Sequence, residues 1–312
     1  MLPTPSPTRP QRLEDLLDPA LSARLGQLDL ASRKIFAGKV QGERRSKKRG
    51  ESVEFADHRP YAIGDDLRHI DWNIFGRLDR LFLKLFLEEE DLSLHLILDA
   101  SASSDCGDPN KFLFMQRTAM ALGFLGLVNL NRVACTTLAG STATPDNTVG
   151  SQSIRDLRGR RRVHDLSRFL LNVTPEGSTD FRAACKRIAL ARRGRGVTII
   201  LSDFMLKEGY EDGLRLLVGR GHDVFALQVL SPQELEPDIA GDLRLKDIED
   251  ADTAEVTISA PLLKRYKANL AAYCDGLKTF CAQRDINSLT VSSATPIDTL
   301  LLDYLRRRGV LR

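Results

Sequence analysis

Three short segments of the sequence concentrate side-chain oxygen atoms that could bind a metal ion. The first reads Asp99-x-Ser101-x-Ser103, the second contains Thr179 and the third contains Asp203. Mg²⁺ takes about six oxygen ligands at roughly 2.0–2.1 Å, whereas Zn²⁺ prefers imidazole and thiolate. Because the set holds hydroxyls and carboxylates but neither His nor Cys, it predicts a site for Mg²⁺ or Mn²⁺ that uses all five residues.

Each segment taken alone also has an ordinary structural interpretation. Asp and Ser hydrogen-bond to nearby backbone in turns, so Asp99-x-Ser101-x-Ser103 is also typical of a simple turn. Thr179-Asp180 could be a helix N-cap, and Asp203 could be another. The combination of all three at strand ends predicted to lie side by side favours the metal site.

The segments are placed by strands and helices that alternate along the chain. Apolar runs that are typical of buried strands occur at Leu94–Leu98, Val133–Leu138, Val197–Leu201 and Val224–Leu230. Helical patterns separate them at Lys111–Asn131, Asp165–Asn172, Thr179–Arg193 and Glu211–Arg220. This alternation predicts an α/β fold with a doubly wound, mainly parallel sheet, whose functional groups gather at the carboxyl ends of the strands. A hairpin at Leu243–Ser259, a helix at Pro261–Gln283, a strand at Leu289–Ser292 and a last helix from Pro296 are predicted to follow.

The composition narrows the class of protein. Its 312 residues are long enough for about two domains, and 42% hydrophobic residues suffice for a packed core. A net charge of +3 gives no general attraction to nucleic acid or anionic membrane. The five scattered cysteines indicate reduced thiols. The proline-rich start and the lack of a ~20-residue apolar span predict a cytoplasmic protein without a transmembrane segment.

The five candidate ligands, in this order, resemble the metal-ion-dependent adhesion site of von Willebrand factor A domains. The resemblance covers about residues 91–230. It implies that Ser101 and Ser103 bind the ion directly, that Thr179 is the ligand from the second loop, and that Asp203 acts through water. The chain departs from many relatives at Ser104, where they have Met, and that position is not a ligand.

A second resemblance lies upstream, at Arg49-Gly50, Glu54-Phe55, Arg59-x-Tyr61, Gly64-Asp65-Asp66, Arg68 and Ile70-Asp71-Trp72. These residues are similar to the signature of the bacterial "domain of unknown function 58" family, which joins this segment to a von Willebrand factor A-like domain. The predicted organisation is a flexible N-terminus (1–12), a helical and β extension with the signature packed on the main domain (13–90), and the main domain with its C-terminal hairpin and helices (91–312).

The signature segment allows three interpretations. Its mixed charges could form a docking surface, or its paired carboxylates and His69 could act as acid–base groups. The structural interpretation is a hydrogen-bonded turn with Arg–Asp pairs and a buried Trp72, and we favour it. His58, His95, His164 and His222 occur singly, so they are interpreted as structural or surface residues.

Three functions are compatible with these patterns. The first is a non-enzymatic interaction module, a scaffold or chaperone-like adaptor, for which the family resemblance implies a MoxR-type AAA+ ATPase as partner. The second is a Mg²⁺-dependent hydrolase of phosphoesters. It is disfavoured because no second metal cluster or placed general base is visible. The third is nucleic-acid binding through Arg44–Arg49, which lacks an aromatic platform.

Overall fold

The computed structural model describes residues 8–26, 28, 55–63, 65, 67, 70–86, 92–139, 141–142, 151–191, 196–246, 248 and 253–307. The chain divides into a larger unit, residues 1–40 with 92–312, and a smaller unit, residues 41–91. The extension predicted for residues 13–90 is therefore shared between the two units. The basic run Arg44–Arg49 and His69 lie outside the described residues.

Twelve strands occur in the described parts of the chain. In chain order they are β1 (Phe55–Pro60), β2 (Phe82–Phe86), β3 (Ser93–Leu98), β4 (Arg132–Thr137), β5 (Ser141–Thr142), β6 (Ser153–Arg158), β7 (Val173–Thr174), β8 (Gly196–Ser202), β9 (Asp223–Leu230), β10 (Gly241–Lys246), β11 (Thr253–Ile258) and β12 (Asn287–Ser292).

The central sheet has six strands in the order β12-β9-β8-β3-β4-β6. The first five run parallel, and β6 pairs antiparallel with β4. The prediction of a mixed α/β architecture with a mostly parallel central sheet is confirmed, and so is the hairpin, formed by β10 and β11. The edge strand β6 was not predicted.

The helices connect these strands. They are α1 (Leu13–Leu16), α2 (Pro19–Leu25), α3 (Trp72–Leu78), α4 (Lys111–Val128), α5 (Val163–Leu171), α6 (Phe181–Ala191), α7 (Glu211–Gly219), α8 (Pro232–Leu235), α9 (Ala260–Ala282) and α10 (Ile297–Thr299), which continues as a π-helical turn (Leu300–Leu305). A 3₁₀ turn covers Ala102–Ser104 and another covers Arg160–Arg162.

Two apolar clusters cover the two faces of the central sheet. Side chains of a strand alternate between faces, and in β3 Leu94, Leu96 and Leu98 join one cluster while Ile97 joins the other. The first cluster includes residues of α1, α2, α4 and α5, and the second includes residues of α6, α7 and α9. This double covering is why the parallel strands are almost continuously apolar in sequence.

Helix α4 is long and apolar enough to cross a membrane, by length and composition. However, 78% of it is buried inside the protein. Its side chains pack on the central sheet with Leu96 and Leu98 of β3. The core helix of a globular domain has the same composition, and burial against the sheet accounts for the apolar character of α4.

The smaller unit contains the hairpin β1–β2 and helix α3. The carboxylate of Asp65 accepts hydrogen bonds from Arg59 (2.6 Å) and from the backbone of Ala62 (2.9 Å), which gives the predicted turn. Asp71 caps α3 by accepting from the backbone N–H of Asn73 at 2.9 Å. The expectation that Trp72 is buried is wrong, because this side chain is 63% exposed. The helix turns it outward at the first helical position.

Candidate functional site

Two neighbouring strands bring the first and third candidate segments together. Strands β3 and β8 are adjacent and parallel, with Leu98 opposite Leu201. The backbone N–H of Asp99 donates to the carbonyl of Leu201 at 2.9 Å, so both chains leave the sheet side by side. Asp99 and Asp203 therefore emerge at the same carboxyl edge, as the sequence predicts.

Asp99 is the buried centre of this edge, with 2% of its surface exposed. Its Oδ2 accepts a hydrogen bond from the Ser202 hydroxyl at 2.6 Å. Its Oδ1 accepts from the backbone N–H of Ser101 at 3.1 Å and from the Thr179 hydroxyl at 3.2 Å. The first and second candidate segments thus meet on one carboxylate.

The two serines of the first segment are also close to each other. The Oγ atoms of Ser101 and Ser103 lie 3.0 Å apart at the start of the 3₁₀ turn. Ser104 instead turns inward, where its hydroxyl donates to the carbonyl of Ser101 at 2.8 Å. The hydroxyl of Ser104 thus points away from the hydroxyls of the two candidate ligands. The resemblance had already excluded Ser104 as a ligand.

The second loop is fixed to the first by its backbone. Ala102 N–H donates to the carbonyl of Gly177 (2.9 Å), and Glu176 N–H donates to the carbonyl of Ala100 (3.0 Å). Asp180 accepts from the backbone N–H of Ala183 at 2.8 Å, as a helix-capping side chain does. Because Asp180 does the capping, the Thr179 hydroxyl is left to face Asp99.

Asp203 has a partner that the sequence did not reveal. The ammonium of Lys111, the first residue of α4, donates to Asp203 Oδ2 at 2.7 Å and to Glu234 Oε1 at 2.7 Å. Lys111 is only 1% exposed. The other oxygen of Asp203 accepts from the backbone N–H of Met205 at 2.9 Å.

Glu234 holds its position through a capping box on helix α8. Its Oε2 accepts from the backbone N–H (2.7 Å) and the hydroxyl (2.9 Å) of Ser231. The Ser-x-x-Glu spacing is a sequence signal for such a cap. A lysine at the start of a mostly apolar helix was a signal for a buried ion pair, but its partners lie far away along the chain.

Burial and the interactions between neighbouring charges shift the pKa values of the ionisable groups at this edge. Burial and the nearby carboxylate of Asp203 raise the pKa of Asp99, against the hydrogen bonds from Ser202 and Ser101. Burial would lower the pKa of Lys111, but Asp203 and Glu234 outweigh it and raise that pKa. Two acidic side chains held close together in a buried place are stabilised by a cation.

The donor set fits a hard divalent ion. In the parts of the chain that the structure describes, no group of three or more His, Cys, Asp or Glu side chains could hold a metal. A metal at this edge would therefore need other oxygen ligands as well, and the hydroxyls of Ser101, Ser103 and Thr179 are side-chain oxygens near Asp99 that could serve. Oxygen atoms alone suit Mg²⁺ or Mn²⁺.

Comparisons with known proteins identify relatives. The model of the family described as protein of unknown function DUF58 matches residues 57–273. The uncharacterized protein Rv1480 of Mycobacterium tuberculosis is 28% identical over 264 residues, covering 83% of this chain and 80% of that protein. The uncharacterized protein MAV169 of Mycobacterium avium is 33% identical over 144 residues, covering 42% of this chain and 79% of that protein.

Two solved structures are similar at low sequence identity. BatB from Bacteroides thetaiotaomicron has a TM-score of 0.38 and 13% identity, over 64% of this chain and 90% of that chain. The manganese-loaded TRAP protein of Plasmodium vivax has a TM-score of 0.31 and 18% identity, over 44% of this chain and 57% of that chain.

Proposed function

The chain belongs to the DUF58 family of proteins of unknown function, and from that premise we propose that it is a metal-dependent protein-interaction module. The larger unit is proposed to be a doubly wound, von Willebrand factor A-like domain. Its metal-ion-dependent adhesion site would consist of Asp99, Ser101, Ser103, Thr179 and Asp203.

One observation carries this proposal: three hydroxyls and two buried carboxylates meet at the carboxyl edge of the sheet, and one carboxylate is already paired with an internal cation. Lys111 compensates Asp203 at 2.7 Å, whereas Asp99 accepts its hydrogen bonds from neutral groups. Asp99 would therefore supply most of the negative charge next to the ion. A bound Mg²⁺ or Mn²⁺ would supply a positive charge that is incompletely neutralised and can accept one more carboxylate.

The same contacts favour binding over hydrolysis. Besides Asp99, which is itself a proposed ligand, two described side chains at this edge that could act as a general base are Asp203 and Lys111. Asp203 is engaged by Lys111 and by the backbone of Met205. Lys111 stays protonated because its pKa is raised. A base must reach the proton that it removes, and both groups are fixed in buried hydrogen bonds.

The partner is proposed to present an acidic side chain to the site. The family resemblance of the sequence implies a MoxR-type AAA+ ATPase as this partner, and we propose that the two proteins meet in the cytoplasm. Without the ion, an incoming carboxylate would meet Asp99 and Asp203 and be repelled. The interaction should therefore change from attraction to repulsion when the metal is removed.

Binding of the purified MoxR-type ATPase from the same host, measured by calorimetry in Mg²⁺ and again in EDTA, tests this function. We expect binding to fall at least about tenfold in EDTA and in Asp203→Asn, while circular dichroism is unchanged. Asn is preferred to Ala because its amide oxygen can still accept a hydrogen bond from the buried Lys111, although the negative charge is lost. The exposed Asp212, which pairs with Arg215 at 2.7 Å, gives the control Asp212→Asn.

Equal binding with and without metal would disprove the metal-dependent contact. Turnover of generic phosphoesters that requires Mg²⁺ and disappears in Asp99→Asn would instead establish the hydrolase.

A further inference from the structure

A cavity of about 370 Å³ lies on the α6 side of the central sheet, and we propose that it binds a small phosphomonoester. It is bounded by β3, β4, β6 and α6, and its volume falls within the ~300–1,000 Å³ of small-molecule sites. Ser93 and Arg132, the first residues of β3 and β4, are part of its lining. The candidate metal ligands leave the opposite ends of the strands, so this is a separate site.

Two buried polar side chains form the floor of the cavity. His95 and Thr136 line it, and they are only 4% and 5% exposed. Their Nε2 and Oγ1 atoms lie 2.8 Å apart. Farther along the same face, Ile97 and Ile200 are in the apolar cluster under α6 and α7. Burying polar groups costs free energy unless they are hydrogen-bonded, and His95 and Thr136 meet this condition with each other while both line the cavity.

A β-bulge in β6 places two successive charged residues, both exposed, in the lining of the cavity. Val133 pairs with Leu157 and Cys135 pairs with Ile154, so Arg155 and Asp156 together lie opposite the single residue Ala134. Asp156 has a positive φ of 55°. In a regular strand two successive side chains face opposite sides, but here both line the same cavity. Bulges commonly re-aim side chains in this way near functional sites.

The charges at the cavity select the kind of ligand. Among the residues that the structure describes, Arg132, Arg155 and Arg187 line it together with Asp156, so three positive charges and one negative charge leave a difference of +2. A phosphomonoester carries close to two negative charges at neutral pH, because its second pKa is about 6. The planar guanidinium group also matches phosphate oxygens in pairs. Ala134 also lines the cavity, and its small side chain leaves room for a ligand to reach the floor.

Calorimetry of the full chain in EDTA, at constant ionic strength, tests this site with phenyl phosphate as the probe. Benzenesulfonate, which has a similar shape and a single negative charge, is the matched ligand control. We expect phenyl phosphate to bind at least tenfold more tightly than benzenesulfonate. The double variant Arg155→Gln, Arg187→Gln should weaken phenyl phosphate binding at least tenfold.

The matched control is Arg182→Gln, Arg215→Gln, which removes two exposed arginines of α6 and α7 that pair with Asp212. It should bind phenyl phosphate as the wild type does. Ala134→Leu, checked for folding by circular dichroism, should fill the cavity and abolish binding without a change of charge.

Three results would overturn the proposal. One is the absence of phenyl phosphate binding at millimolar concentration. Another is an equal loss in both arginine double variants, which would indicate general surface attraction. The third is full binding by folded Ala134→Leu, which would place the ligand outside the cavity.

Discussion

The two halves of the central sheet use positive charge in opposite ways. At the carboxyl edge, Lys111 is buried and donates to Asp203 and Glu234, both at 2.7 Å. At the cavity near the strand starts, Arg155 and Arg187 are exposed. A buried cation between carboxylates holds loops together, whereas exposed cations around a polar floor remain accessible to a ligand. Burial therefore distinguishes the structural cation at the carboxyl edge from the cations proposed to bind a ligand at the cavity.

The largest effect is expected when the buried cation is removed. Lys111→Met would leave Asp203 and Glu234 without their shared ammonium while keeping a side chain of similar length. Breaking a buried ion pair from one side costs about 3–5 kcal/mol, so the free energy of unfolding in urea should fall by about that amount. Lys186→Met, on the exposed side of α6, is the control and should change it little. A loss below about 1 kcal/mol for Lys111→Met would contradict the structural role of this charge.

A large effect on metal binding is expected at the centre of the same edge. The double variant Asp99→Asn, Ser101→Ala removes one charge and one hydroxyl while retaining an acceptor for the Ser202 hydroxyl. Because loss of a supporting partner alone weakens metal sites about 10–100-fold, loss of two ligands should reduce Mg²⁺ affinity by about a hundredfold or more in calorimetry. Unchanged Mg²⁺ affinity in a folded variant would show that the metal does not bind at this edge.

The second loop offers a more finely matched pair of variants. Thr179 faces Asp99, with 3.2 Å between its hydroxyl and Oδ1, whereas the neighbouring Ser178 is exposed. Thr179→Ala should weaken Mg²⁺ binding about tenfold, and Ser178→Ala should leave it unchanged. If both variants bind alike, the second loop contributes no ligand.

The strands that carry the site could be predicted because burial on both faces makes them apolar. Val197–Leu201 is such a run, and it forms most of β8. The turn interpretation of the first segment is compatible with the metal prediction, because Asp99 bonds the backbone of Ser101 while its carboxylate also faces Thr179. Local turn chemistry holds the carboxylate in place and does not exclude a ligand role.

Other features depend on contacts that no local pattern encodes. Lys111 is 92 residues from Asp203 and 123 from Glu234, so only the fold brings them together. Strand β6 escaped prediction because its bulge breaks the alternation, and Leu157 is its one fully buried residue. Near the N-terminus, Asp18 caps a new helix at Pro19, so two short helices, α1 and α2, occur there one after the other.

The smallest effect on stability is expected at the arginines of the cavity, and it sharpens the contrast with Lys111. Arg155→Gln, Arg187→Gln removes two positive charges, one more than Lys111→Met. Both side chains are exposed, and the contact between Arg155 Nε and the Ser153 hydroxyl, 3.2 Å, is also exposed to water. Exposed charges contribute little to stability since water solvates them in the unfolded and folded states alike. The free energy of unfolding in urea should therefore change by less than about 0.5 kcal/mol.

A loss comparable to that of Lys111→Met would mean that these arginines are structural cations as well. Combined with intact stability, a loss of phenyl phosphate binding would assign them to a ligand.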